Sequence, residues 1–135
     1  MLPMLEFAKA TNQSVIIMNP NFAKDPVSGM AVPNCESMNA HVKHIWQRFL
    51  NKNTCPASSL SVMAHSAGGR TAAMLVQEFK AEFLERVKCL VFTDAYYHAM
   101  FKGMSAKDQN KLREIGIHFK CYKQAHKDVG VVFQN

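Results

Sequence analysis

Several features that mark particular classes of protein are missing from this sequence. The four cysteines lie at least 20 residues apart and none forms a C-x-x-C pair, so the spacing predicts neither a zinc site nor a redox dithiol. We therefore expect no metal and no organic cofactor. No apolar run approaches the roughly 20 residues of a membrane span, and the N-terminus carries no basic leader. We expect an intracellular protein of the cytoplasm or nucleus, with reduced thiols and no membrane contact.

Acidic residues are also scarce, which leaves a formal net charge of +6 from 16 Lys and Arg against 10 Asp and Glu. An acid-free basic run has the spacing of the solvent-facing side of a helix, so it does not by itself indicate a nucleic-acid surface. Its members are His41, Lys43, His44, Arg48 and Lys52. With 135 residues, 48% of them hydrophobic, the chain has the size and composition of one folded domain spanning 1–135.

Hydrophobic periodicity predicts an alternation of helices and strands. Apolar runs of the buried type predict strands at 14–19, 59–64, 87–94 and 117–122. Stripes at helical spacing predict helices at 2–12, 39–51, 68–85 and 105–115, with Leu2, Leu5, Phe7 and Ala8 facing inward in the first. The segment 20–38 is expected to be a long loop. Such alternation favours an α/β fold, a mostly parallel sheet with helices on both faces in three layers.

Ser66 stands where a predicted strand meets a predicted helix, in the stretch SLSVMAHSAGGRTAAM. A serine can project its hydroxyl above a sheet only from a sharp, strained turn, which brings the residues two before and two after it close together. Those residues are Ala64 and Gly68, and both are small. The pattern A-H-S-A-G resembles the nucleophile elbow G-x-S-x-G. The alternative is a glycine corner for close packing, or for binding phosphate or nucleic acid with help from Arg70.

A serine nucleophile needs a base, and the base needs an orienting carboxylate. Asp94 ends the strand that follows the elbow, so we expect it to supply the carboxylate. His126 follows the last predicted strand and suits the chain order Ser, Asp, His. His98, four residues beyond Asp94, is the alternative base. The backbone N–H of Ala67 would hold the oxyanion.

The remaining histidines receive other roles. His65 should point away from Ser66, and His118 is expected to be structural because it alternates within a strand.

Four stretches in order, VIIMNPN at 15–21, VMAHSAGG at 62–69, VFTDAYYH at 91–98 and KQAHKD at 123–128, resemble the argonaute-binding-protein domain family. That family occurs in the C-terminal domain of fungal class II histone deacetylases and in related vertebrate cotranscriptional regulators. The resemblance implies an α/β-hydrolase-like core in which Ser66, Asp94 and His126 occupy triad-like positions. It also implies association with RNA-silencing and chromatin proteins.

Two accounts of function follow from these residues. In the first, a serine-hydrolase-like domain cleaves a small ester or acyl substrate through Ser66, His126 and Asp94. In the second, the hydrolase scaffold is non-catalytic and binds proteins of silencing or chromatin complexes. The chain opens in the first helix and lacks the preceding strand with an H-G-x-G-like loop, which supplies half of the oxyanion hole in hydrolases. We therefore expect a core without its N-terminal strands and with one uncovered sheet edge.

Overall fold

The computed structural model describes residues 2–120 of the chain. Its strands are β1 (Leu60–His65), β2 (Val87–Thr93) and β3 (Gly116–Phe119). Its α-helices are α1 (Leu2–Ala10), α2 (Met38–Ile45), α3 (Gly68–Glu78), α4 (Lys80–Arg86) and α5 (Ala106–Ile115). The last turn after α2, Trp46–Leu50, is π-helical, and a short 3₁₀ turn spans His98–Phe101. Every helix within the described range is too short or too polar for a membrane span.

The three described strands form one parallel sheet in the order β1-β2-β3. Each crossover between neighbouring strands contains a helix, which is the usual connection between parallel strands. Because all three strands run the same way, their C-terminal ends meet at one edge of the sheet. The predicted α/β class with a parallel sheet is therefore confirmed.

The two faces of this sheet differ in their cover. Ala64, Phe92 and His118 pair across the three strands on one face, and all three are buried beneath the helices. On the opposite face, Met63 is 51% exposed and Phe119 is 49% exposed. These two apolar side chains lack the full cover that the second helical layer of a three-layer fold would give them.

The core is built around Trp46, which is 1% exposed. Its indole stacks on Phe79 and Phe83, with ring centroids 5.7 Å apart in both pairs. The predicted helix over 68–85 is interrupted between these contacts, because Phe79 leaves helical geometry at φ −115° and ψ 30° and separates α3 from α4. Trp46 therefore holds the two helices together, as the stripe in its own helix predicts for a core residue.

Two predictions near the N-terminus are wrong. Residues 13–19 form no strand, and Val15, Ile16 and Ile17 are about half exposed (50%, 46% and 57%). A strand needs a neighbour for its backbone N–H and C=O groups, and none of the described strands pairs with this segment. In α1, Ala8 is buried as predicted, but Leu2 and Phe7 are exposed rather than inward-facing.

The irregular segment between the π turn and β1 is held by one buried side chain. Arg86, at the end of α4, donates to the carbonyl oxygens of Cys55 at 3.1 Å and Ala57 at 2.8 Å, and also to that of Leu50. Its guanidinium pairs with Glu82 at 2.5 Å. The buried charge is thus matched by an anion and several carbonyls, the condition under which a charge tolerates burial.

Candidate functional site

Ser66 lies at the end of β1 with a left-handed backbone, φ 50°. A non-glycine residue adopts this region only at a cost of about 1–2 kcal/mol, because Cβ crowds the following carbonyl. The chain turns directly into α3, and a Cβ added at Gly68 would lie 3.7 Å from the Ala64 Cβ. The residues two before and two after the serine therefore come together, as the pattern of small residues predicts.

The corner is fastened to the end of β2 by backbone hydrogen bonds. The Ser66 N–H donates to the Thr93 carbonyl at 3.1 Å, and the Tyr96 N–H donates to the Ser66 carbonyl at 3.2 Å. Gly69 makes this approach possible, because a Cβ there would lie 2.8 to 2.9 Å from three backbone atoms of Tyr96. The loop after β2 thus packs directly on the first turn of α3.

Asp94 also sits at the C-terminal edge of the sheet, one residue past β2. Its backbone is left-handed at φ 48°, and its N–H donates to the Phe119 carbonyl at 2.7 Å. The side chain is exposed. Ser66 and Asp94 therefore end neighbouring strands with the same unusual backbone, although no hydrogen bond joins their side chains.

Within residues 2–120, neither the Ser66 hydroxyl nor the Asp94 carboxylate has a side-chain hydrogen bond, and the N–H of Ala67 donates no hydrogen bond either. His126, the predicted base, lies outside the described residues. His98, the alternative base, is exposed at the start of the 3₁₀ turn, where its ring stacks on Tyr97 with centroids 5.4 Å apart. Within the described residues, the strand ends that carry Ser66 and Asp94 are neighbours, but no base forms a hydrogen bond with the serine hydroxyl.

His65 acts as a link between strands. Its Nδ1 lies 2.9 Å from the Thr93 carbonyl oxygen and 3.0 Å from the Thr93 hydroxyl. The imidazole is therefore tied to the neighbouring strand.

His118, which is expected to be structural from its alternating position in a predicted strand, lies in β3. It is 4% exposed, and its Nε2 accepts a hydrogen bond from the Ala95 N–H at 3.4 Å, so the neutral ring carries its proton on Nδ1. Burial lowers the pKa of His118, the charge of Lys120 lowers it further, and Asp94 partly opposes both.

An exposed cation–π pair borders the corner. The Arg70 guanidinium lies 5.5 Å from the centroid of the Tyr96 ring, and Tyr96 is 60% exposed. Arg and Tyr, together with Trp, are enriched at the energetically important positions of protein interfaces. For metal binding, residues 2–120 contain no cluster of three or more His, Cys, Asp or Glu side chains placed to hold an ion.

Fold and site together thus define an α/β domain with a strained serine corner at the C-terminal edge of a parallel sheet. Residues 22–111 match the sequence model of the Arb2 domain. Since the match covers more than half of the 135 residues, the chain belongs to the Arb2 domain family.

One relative is the cotranscriptional regulator ARB2A homolog of Dictyostelium discoideum, 27% identical over 105 residues. The alignment covers 74% of this chain and 26% of that protein, so the chain spans about a quarter of the relative's length. No solved structure matches the chain.

Proposed function

We propose that this chain is a non-catalytic interaction domain on a hydrolase-like scaffold, acting inside the cell in chromatin or RNA-silencing complexes. The observation that carries this proposal is membership of the Arb2 domain family together with similarity to a protein described as a cotranscriptional regulator. The partners would be proteins of those complexes rather than a small substrate.

The geometry of the corner supports an interaction role. The described residues do not test the triad, because the predicted base His126 lies outside residues 2–120; the support comes from the exposed side chains beside the corner. Beside the corner, Arg70 and Tyr96 present an exposed cation–π pair, next to the close backbone contact of Gly69 with Tyr96. We infer that this pair forms part of the partner-binding surface.

A serine hydrolase is the second candidate, because one observation favours it. Ser66 keeps the strained backbone of a nucleophile elbow, at φ 50°, and such strain is found most often where function needs it. In this account Ser66 attacks an ester or acyl carbonyl, His126 or His98 takes the proton, Asp94 orients the base and the Ala67 N–H binds the oxyanion.

A reporter assay separates the two candidates. The chain is fused to a DNA-binding module that tethers it to a reporter promoter, and transcription is measured for the wild type and three single variants. An interaction domain predicts that Ser66→Ala regulates the reporter like the wild type. Tyr96→Ala should abolish regulation, because it removes the ring of the proposed partner-binding pair. The exposed ring can be removed without disturbing the backbone contact to α3. Lys107→Ala, an exposed change on α5, is the matched control.

Labelling with a fluorophosphonate probe is measured on the same proteins. A serine hydrolase predicts that the wild type labels and that Ser66→Ala does not. Loss of regulation in Ser66→Ala, together with labelling of the wild type, would contradict the interaction account. A folded wild type that regulates the reporter and never labels would contradict the hydrolase account.

A further inference from the structure

A cleft separate from the serine corner lies between α5, the 3₁₀ turn and β3. Its volume is about 280 Å³, just below the range of roughly 300–1,000 Å³ that is usual for ligand sites. Neither Ser66 nor Asp94 lines it. The size suits a compact small molecule rather than a peptide or a nucleotide.

The floor of the cleft is apolar and already part of the core. Phe92, Met100 and Leu112 contribute to it, and each is at most 3% exposed. Two further aromatic rings, Tyr97 and Phe101, form part of the wall. An occupant would therefore need an apolar body, since a polar one would lose its hydration without gaining hydrogen bonds.

The rim of the cleft is cationic. Arg113 and Lys120 line it together with His98, and none of the lining residues within 2–120 is Asp or Glu. Arg113 is oriented by neutral groups, because its guanidinium lies 5.2 Å from the Phe101 centroid and donates to Asn110 and Gln109 at 3.3 Å. None of these partners neutralises its charge. Charge complementarity therefore favours an anionic head group on the ligand.

We propose that this cleft binds a small organic carboxylate with a compact apolar body. The apolar part lies over Phe92 and Leu112, and the carboxylate accepts hydrogen bonds from the Arg113 guanidinium, with Lys120 close by. Arginine suits this role because its planar donors match a carboxylate in two parallel hydrogen bonds. The site is independent of the proposed interaction function, since it uses neither Ser66 nor the Arg70 and Tyr96 pair.

The test is a titration of the ¹⁵N-labelled full chain with octanoate, followed in amide spectra. We expect saturable shifts at Ile117 and His118, which line the cleft. Octylammonium, with the same chain and the opposite charge, should give no saturable shift at these amides. Arg113→Gln should weaken octanoate binding about tenfold or more, because it removes a charge-assisted hydrogen bond.

Two further variants keep the test decisive. Lys107→Gln removes a charge from the same helix outside the cleft and should leave the affinity within twofold of the wild type. Lys120→Gln lies past β3, so it tests the cationic rim without altering α5, and it should weaken binding severalfold. The proposal is overturned if octanoate gives no saturable shift, if octylammonium binds as tightly, or if both cleft variants bind octanoate as the wild type does.

Discussion

Replacing Gly69 by alanine tests the packing on which the whole corner depends. The added Cβ would lie 2.8 Å from the Tyr96 carbonyl oxygen and 2.9 Å from two further backbone atoms, so the loop must move away from α3. Crowding of this kind costs about 1–3 kcal/mol. Loss of the hydrogen bond between the Tyr96 N–H and the Ser66 carbonyl adds about 1 kcal/mol. The better helix propensity of alanine offsets about 1 kcal/mol, which leaves a net loss of about 1–3 kcal/mol.

The neighbouring glycine supplies the matched control. At Gly68 the new Cβ would meet only the Ala64 Cβ, at 3.7 Å, which is an ordinary van der Waals contact. Gly68→Ala should therefore change the free energy of unfolding by no more than about 1 kcal/mol, in the stabilising direction. Both variants are measured by urea unfolding against the wild type. Equal effects of the two substitutions would show that the Tyr96 loop does not rest on α3.

Three further predictions concern single side chains. Burial lowers the pKa of His118 below its ordinary value of 6.5, so the unfolded chain binds this proton more readily than the folded chain. The contribution of His118 to the free energy of unfolding should therefore be fully present above about pH 6.5 and fall as the pH drops below it. His118→Gln should flatten that dependence in urea titrations from pH 7.5 to 5.5. The free energy of unfolding of Ser66→Gly should be about 1 kcal/mol higher than that of Ser66→Ala, since glycine adopts φ 50° without strain. Equal free energies of unfolding would show that the backbone at this position is not strained. Arg86→Met should cost about 3–5 kcal/mol, because it removes the ionic partner of Glu82 and leaves several carbonyls without their donor; calorimetry checks this, and a variant as stable as the wild type would contradict it.

Much of the regular structure can be predicted from the sequence, because hydrophobic periodicity and residue composition are properties of each local segment. The strands at 59–64 and 87–94 and the helix at 105–115 are confirmed within about two residues, since each has a clear apolar pattern and definite ends. Ser105 caps α5 by accepting from the Asp108 N–H at 3.1 Å. The segment 14–19 has an equally strong apolar pattern, but the strand predicted there is wrong. A pattern reports side-chain preference, whereas a strand also needs a partner, and pairing is not a local property.

The candidate site likewise has parts that the local sequence predicts and parts that it does not. The corner at Ser66 and the strand end at Asp94 could be placed from the sequence, because small residues and strand ends leave local signals. A structural role for His118 could be predicted, but its neighbours could not, because Tyr97, Ala95 and Asp94 are all at least 21 residues away in sequence. An alternating strand position predicts burial and gives no information about which loop folds over the imidazole.

The buried guanidinium of Arg86 has a consequence for how the molecule opens. Residues 51–59 contain no regular helix or strand, yet their carbonyls are bound to the end of α4. Segments joined by buried contacts open as one cooperative unit. The N–H groups of Lys52 and Cys55 donate to the Glu82 carboxylate and to the Asn51 carbonyl, so their hydrogens should exchange with solvent deuterium at the pace of the helix that anchors them, much more slowly than those of an ordinary surface connection.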